Sequence, residues 1–251
     1  SLGIGKNSYI TGAYATYVGQ EIGKFYGWVY EGIARTQDEL DGHATQQGAN
    51  VGDCLYKDIS GPNGEPDGVI DAYDQTVLGS GLPKVNFGLS THMEYKGFDL
   101  NISTYGVLNY HVSDDIYNSL NSCYGYGNKE VGMLDANRWS EDGSTYLSSV
   151  PRTYAANNAT LGWNDLFSSR KIQNAAYWKI ANVELGYNFP DKWFGGYVSG
   201  VRLYVSAQNL YTFTGYHGYN VDYAGGTFTP GYNFCSFPSA RTFMCGLHFT
   251  F

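Results

Sequence analysis

The feature that most constrains the fold is a strict two-residue alternation of apolar and polar side chains, clearest at the end of the chain. In the stretch 241–251, Phe243, Cys245, Leu247, Phe249 and Phe251 fall on one side of an extended backbone. Met244, Gly246, His248 and Thr250 fall on the other. A β-strand turns this pattern into one apolar and one polar surface, because its successive side chains point to opposite faces. The pattern recurs upstream. Val201, Leu203, Val205 and Ala207 alternate with Arg202, Tyr204, Ser206 and Gln208. Ala181, Val183, Leu185, Tyr187 and Phe189 alternate with Asn182, Glu184, Gly186 and Asn188. Val85, Phe87, Leu89 and Met93 oppose Asn86, Ser90, His92 and Glu94. After a tight turn at 95–97, Phe98, Leu100 and Ile102 oppose Asp99, Asn101 and Ser103.

Composition supports an all-β chain. There are 24 Tyr, 13 Phe, 5 Trp and 33 Gly, with only 15% charged residues. Aromatic residues fit a pleated, half-buried surface and glycine supplies turns, whereas a helical chain leans on Ala, Leu, Glu and Lys. The net charge of −8 argues against nucleic acid as a partner, since that needs a cationic face. No stretch approaches the roughly 18–20 apolar residues of a membrane helix, which leaves a β-barrel open because barrel strands alternate lipid-facing and lumen-facing residues. Cys54, Cys123, Cys235 and Cys245 show no zinc spacing, and both free thiols and one disulfide fit them. The first residues are neither basic nor followed by an apolar run, so no signal peptide opens the chain; for an exported protein this predicts that the chain begins inside something longer.

Alternation alone fits a soluble sandwich as well as a barrel. Connection lengths separate them. Six strands are expected, at about 22–34, 83–95, 97–110, 176–189, 200–212 and 240–251, with 1–21 holding an entering strand or a connection. Between them, short turns (95–97 and 190–199) alternate with long segments (35–82, 111–175 and 212–239). Outer-membrane barrels have this asymmetry, and compact soluble domains rarely carry structureless loops beyond about 15 residues. The expected membrane face holds Val183, Leu185, Val201, Leu203, Val205, Leu247 and Phe249, with Asn182, Glu184 and Gln208 inward. Phe251 is expected at the periplasmic rim, and strand 240–251 is expected to pair with strand 200–212.

Four blocks, in order, carry a family resemblance. They are the run 22–33 (Ile-Gly-Lys-Phe-Tyr-Gly-Trp-Val-Tyr-Glu-Gly-Ile), the loop from Gly52-Asp53 through Tyr56, Asp58, Asp67 and Asp71 to Asp74, the run 177–190, and the run 201–210 with its Gln208-Asn209-Leu210. With the closing strand, they resemble the C-terminal part of SusC/RagA-like TonB-dependent outer-membrane transporters. The resemblance implies an antiparallel transmembrane β-barrel of about 22 strands around a plug. Residues 1–251 would be its C-terminal barrel portion, with plug and N-terminal strands absent from this chain. It also implies outer-membrane lipid around the barrel, loops facing outside, and a SusD-like surface lipoprotein as a lid. Oligosaccharides or peptides would be imported with energy from the TonB complex, reached through the absent plug.

Two groups of residues are candidate sites. In loop 58–74, Asn63, Glu65, Asp67, Asp71 and Asp74 occupy oxygen-donor positions of a calcium loop of about 12 residues. Gly68 takes the sharp-turn position and Val69 offers its carbonyl. Asp74 is shorter than the usual closing Glu, and Pro66 removes a donor. An Asp/Gly-rich turn held by side-chain-to-backbone hydrogen bonds is the other reading. No cofactor is required; a structural Ca²⁺ is the single candidate. The long connections hold aromatic residues suited to stacking on sugar rings: Tyr117, Tyr124, Tyr126, Trp139 and Trp163 in one, Tyr219 and Tyr223 in another. Packing within the loops or against a lid protein is the alternative.

Catalysis finds little support. The five histidines form no HExxH pattern, no GxSxG occurs, and the adjacent pairs Asp114-Asp115 and Glu141-Asp142 read as solvated turns. These carboxylate pairs could serve a glycosidase only if folding set two carboxyls on either side of a bond. The expected role is therefore non-enzymatic. Alternatives to energy-coupled import are a passive porin, which needs no plug, and a secreted carbohydrate-binding β-sandwich.

Overall fold

A computed structural model describes residues 8–122, 128–131, 138–140, 148–153, 162–194, 198–222, 225–234 and 236–250. It divides into two compact units.

One unit (83–110, 174–222 and 236–251) is built on five long strands: β1 (Val85–Tyr95), β2 (Phe98–Leu108), β3 (Tyr177–Phe189), β4 (Gly200–Thr214) and β5 (Thr242–Thr250). They form one antiparallel sheet in sequence order, an up-and-down meander, with β5 paired to β4 as expected. Among the described residues, β1 and β5 are its edges. The β1–β2 turn is Lys96-Gly97, both at positive φ (49° and 86°), the geometry that matches strand twist in a two-residue hairpin. The β3–β4 connection is also short, whereas 109–176 and 215–241 are long. Short connections thus lie at one end of the sheet and long ones at the other.

Directly paired residues share a face, so the registers define two surfaces. On one, Met93 pairs with Leu100, Leu100 with Leu185, Leu185 with Val205, and Val205 with Cys245. Val183, Tyr187, Phe189, Val201, Leu203, Phe243, Leu247 and Phe249 continue this face. All seven residues expected to face the membrane lie on it, and Asn182, Glu184 and Gln208 lie opposite. The apolar face is bare: Leu89 is 66% exposed, Leu247 59% and Val205 51%.

One correction concerns parity. The register shifts between Ile180 and Asn182, so Ala181 is a bulged residue opposite Asn209-Leu210, where Asn209 has φ 52°. Beyond the bulge the apolar face takes Ile180 and Trp178, which pair with Tyr211 and Phe213. Aromatic rings therefore close the face at both ends. At the short-turn end, Phe98 meets Tyr187 at 4.6 Å and Tyr187 meets Phe189 at 4.9 Å. At the long-loop end, Trp178 stacks on Phe213 at 5.2 Å and Phe213 meets Tyr211 at 4.6 Å. Nine residues of extended chain tilted by about 40° put the Tyr187 and Trp178 levels about 23 Å apart, close to the apolar band of roughly 25 Å between aromatic girdles.

The other unit (1–82, 111–173 and 223–235) holds a four-stranded antiparallel sheet of Ser8–Thr11, Tyr14–Tyr17, Lys24–Gly27 and Thr76–Ser80, and a small hairpin of Tyr30–Ile33 with Cys54–Tyr56. The expected continuous strand 22–34 is thus divided and takes no part in the long sheet. It breaks at Trp28, whose N–H donates to the Phe167 carbonyl (3.2 Å) and whose carbonyl accepts from the Ser169 N–H (3.0 Å). Cys54, Tyr56 and Ile70 form one buried cluster here, with Trp28, Tyr30, Ala44, Trp163 and Leu166 packed against it.

Candidate functional site

The polar face of the long sheet concentrates the charge of its unit. Near the short turns, Arg202 on β4 donates to Asp99 on β2 through Nη2 (2.5 Å) and Nε (3.0 Å), and to Glu184 on β3 through Nη2 (2.7 Å). Asn188 adds a donor to Asp99 at 3.1 Å. Gly186, the residue between Glu184 and Asn188 on this face, leaves the space that the Asp99 carboxylate and the guanidinium fill. Ionic ladders across three strands have no place on a lipid-facing surface, where a charge costs several kcal/mol, but suit a wetted lumen.

Towards the long-loop end, β3 carries Lys179, nearly fully buried, whose Nζ lies 2.5 Å from Asp222 Oδ2. The Tyr105 hydroxyl donates to the other Asp222 oxygen at 3.2 Å. Asp222 thereby ties the segment 215–222 to the polar face of the sheet. Beside this anchor is a cleft of about 310 Å³ whose lining includes Lys179, Thr212, Tyr219, Asn220, Ser239 and Arg241. Of the predicted aromatic contacts, Tyr219 lies in this cleft and is 68% exposed.

The other predicted aromatics are placed differently. Trp139 is only 8% exposed and lies against Gly52, whose φ of +93° and missing Cβ admit the ring. Trp163 packs against Tyr56, accepts that hydroxyl's hydrogen bond on its carbonyl, and donates its indole N–H to the Gln47 carbonyl at 3.0 Å. Both serve packing here. Tyr117 is half-buried in the helix Asp115–Leu120, where its N–H donates to the capping Asp114 carboxylate. Tyr124, Tyr126 and Tyr223 lie outside the described residues, as do Cys123, Cys235 and Phe251.

The packing of Trp139 belongs to a polar staple that explains the Gly52-Asp53 pair. The Asp53 carboxylate is buried and accepts four hydrogen bonds: Arg152 Nε at 2.6 Å, Arg152 Nη2 at 2.9 Å, Asn164 Nδ2 at 2.8 Å and the Asn50 N–H at 2.9 Å. Asn164 in turn accepts from the Cys54 N–H at 2.7 Å. Three segments distant in sequence are joined through one carboxylate.

In loop 58–74 the carboxylates turn onto backbone N–H groups. Asp74 Oδ1 accepts from Ile59 (2.7 Å) and Ser60 (3.2 Å), and its Oδ2 accepts from Asp71 (2.8 Å). Asp71 accepts from Tyr73, Asp67 from Val69, and Asp58 from Gly68. Among the described residues, no three or more His, Cys, Asp or Glu side chains gather as metal ligands. The Asn63, Glu65 and Val69 positions are solvent-exposed. This geometry has the features of the turn reading.

Comparison with known proteins follows the same lines. No protein-family profile matches the chain. A TonB-dependent receptor of Formosa agariphila (P3) is 31% identical over 242 residues, spanning 93% of this chain and 22% of that protein. The TonB-dependent receptor SusC of Bacteroides thetaiotaomicron is 26% identical over 209 residues, 78% of this chain and 19% of SusC. The resemblance to SusC/RagA-like TonB-dependent transporters holds. Among solved structures, the RagAB peptide importer in its open-open state matches with a TM-score of 0.73 at 22% identity, over 100% of this chain and 25% of that one. The fold is accordingly that of a TonB-dependent transporter barrel, of which the five-stranded meander is a part. This chain spans about a fifth to a quarter of the length of the SusC-like relatives it matches.

Sequence reasoning missed the Lys179–Asp222 anchor, the cleft beside it and the Asp53 staple. Lys179 had a signal: it stands between Trp178 and Ile180, which places a lone charge between residues of the apolar face.

Proposed function

We propose that this chain forms the C-terminal part of the wall of an outer-membrane transporter that imports oligosaccharides or peptides. The remaining barrel strands and the plug come from a part of the transporter outside this chain, and TonB supplies energy through that plug. The short turns face the periplasm, the long connections face outside, and a SusD-like surface lipoprotein covers them.

The observation that carries this reading is the contrast between the two faces of one sheet. An apolar surface closed at both ends by aromatic rings is left bare, while the opposite surface carries the Arg202–Asp99–Glu184 ladder. A secreted sandwich would bury its apolar face against a second sheet, so the bare face disfavours it. Relatives described as receptors and importers support a non-enzymatic role. A passive porin shares the wall, and energy dependence separates the two. Uptake of labelled oligosaccharides and peptides into cells bearing the full-length transporter should cease when TonB is deleted or the proton gradient is collapsed. Uptake that persists unchanged would support the porin; a full-length protein that stays soluble without detergent would support the sandwich.

For loop 58–74, backbone N–H donors already engage the carboxylates of Asp58, Asp67, Asp71 and Asp74, which favours a self-contained turn. A structural Ca²⁺ held by Asn63, Glu65, Asp67, Asp71, Asp74 and the Val69 carbonyl is the alternative, and calcium titration distinguishes them.

A further inference from the structure

Within the import reading, on which this inference rests, we propose that the cleft between Tyr219 and Arg241 is a subsite for a carboxylate-bearing sugar residue, a hexuronate unit of an oligosaccharide. Charge is the first argument. Three charged side chains line the cleft: Lys179, Asp222 and Arg241. Lys179 and Asp222 neutralise one another at 2.5 Å, and Asp222 also accepts from Tyr105, so its oxygens are committed. Arg241 is exposed and has no ion pair or side-chain hydrogen bond with any described residue. The cleft therefore carries one uncompensated positive charge in a chain of net charge −8. A guanidinium fork fits a carboxylate through two parallel N–H···O bonds.

The neutral groups point to a sugar as the carrier of that carboxylate. Thr212, Ser239 and Asn220 offer hydroxyls and an amide, groups that pair with ring hydroxyls. Tyr219 offers an exposed aromatic face to the C–H face of a pyranose. An extended peptide would need pockets for its alternate side chains, whereas the aliphatic lining of the cleft is confined to Pro238 and the buried Val221, beside the exposed Tyr211. The volume of about 310 Å³ lies at the bottom of the roughly 300–1,000 Å³ range of ligand sites, which suits one ring better than a longer segment. The anchor at Asp222 holds the loop bearing Tyr219 in place before ligand arrives, so less ordering cost falls on binding. Lys179, Thr212 and Thr214 in the lining belong to the polar face of β3 and β4 and Tyr211 to the apolar face, so the subsite reaches the long-loop end of the sheet.

The test is isothermal titration of the full-length transporter in detergent at low ionic strength with trigalacturonate, its methyl ester and a neutral tripeptide. The acid and ester share the same sugar chain and differ at C6, where the ester replaces each carboxylate with an uncharged methyl ester. The acid should bind about tenfold more tightly than the ester, the size of one charge-assisted hydrogen-bonded pair. Arg241→Gln should reduce the acid to the ester's affinity and leave the ester unchanged, and Arg241→Lys should restore part of the preference. Tyr219→Ala should weaken both by a similar factor. Heat-modifiable migration of each variant reports that the barrel is intact. The proposal is overturned if the native protein binds acid and ester equally, if the preference survives Arg241→Gln, or if the tripeptide alone shows an Arg241-dependent affinity. Binding is read without TonB, so loss of uptake with the acid preference intact counts against import alone. Uptake with no acid preference counts against the subsite alone.

Discussion

Arginine substitution along the apolar face should cost free energy according to depth, and the aromatic belts set the scale. Val183 lies midway between Tyr187 and Trp178 on β3 and pairs with Ala207 and Ile102, which puts it near the centre of the apolar band. Leu203 faces the same way but pairs with Tyr187 and Leu247, at the level of the short-turn belt. An arginine on the lipid face costs about 2–4 kcal/mol at the midplane and about 0–1 kcal/mol near an interface. Val183→Arg should therefore destabilise by about 2–3 kcal/mol more than Leu203→Arg, or roughly 30- to 150-fold in the folding constant. Asn182→Arg, one residue away but on the polar face, should cost less than about 1 kcal/mol. The assay is urea titration of the full-length barrel in lipid vesicles, comparing midpoints at a common slope. Equal costs for Val183→Arg and Leu203→Arg would remove the depth assignment. An Asn182→Arg penalty matching that of Val183→Arg would remove the assignment of the faces.

Three further outcomes follow from the hydrogen-bond geometry. Asp53→Ala leaves Arg152 and Asn164 without their shared acceptor and should cost about 3 kcal/mol locally; limited proteolysis should then cut the segment 44–56 faster while the barrel keeps its heat-modifiable migration. Gly186→Val drives a side chain into the space held by Asp99 and Arg202 and should destabilise by about 1–3 kcal/mol, read as a lower urea midpoint. Calcium titration should leave hydrogen exchange of loop 58–74 unchanged, whereas Asp74→Ala, which strips acceptors from three backbone N–H groups, should accelerate it; calcium-dependent protection would establish the metal site instead.

Much of the long sheet was legible because its information is local. A period of two fixes which residues share a face, and Lys96-Gly97 fixes the hairpin that aligns β1 with β2. The bulge at Ala181 was harder to read, although it left a trace: Ile180 and Ala181 are adjacent apolar residues where alternation demands one of each kind. The stretch 22–34 misled for a different reason. Its aromatic content is strand-like, but it lacks alternation, and its fate is set by backbone bonds from Trp28 to Phe167 and Ser169, more than a hundred residues away. The same distance hid the candidate site. Arg241 stands at the start of the closing alternation and Asp222 within the long connection 212–239; only folding brings them to one cleft with Lys179 and Tyr219. Trp139 and Trp163 carried no mark in the sequence separating a packed ring from a ligand-facing one.

The central claim is that one face of this sheet meets lipid and the other a wetted lumen. Site-directed spin labels at successive positions 178–188 of the full-length transporter in outer-membrane vesicles test it directly, through accessibility to oxygen, which partitions into lipid, and to a water-soluble nickel chelate. Oxygen accessibility should peak at 183, 185 and 187, nickel accessibility at 182, 184, 186 and 188, and the phase should invert across Ala181 so that 178 and 180 join the oxygen-accessible set. Uniform accessibility along β3, or nickel maxima at 183 and 185, would contradict the account.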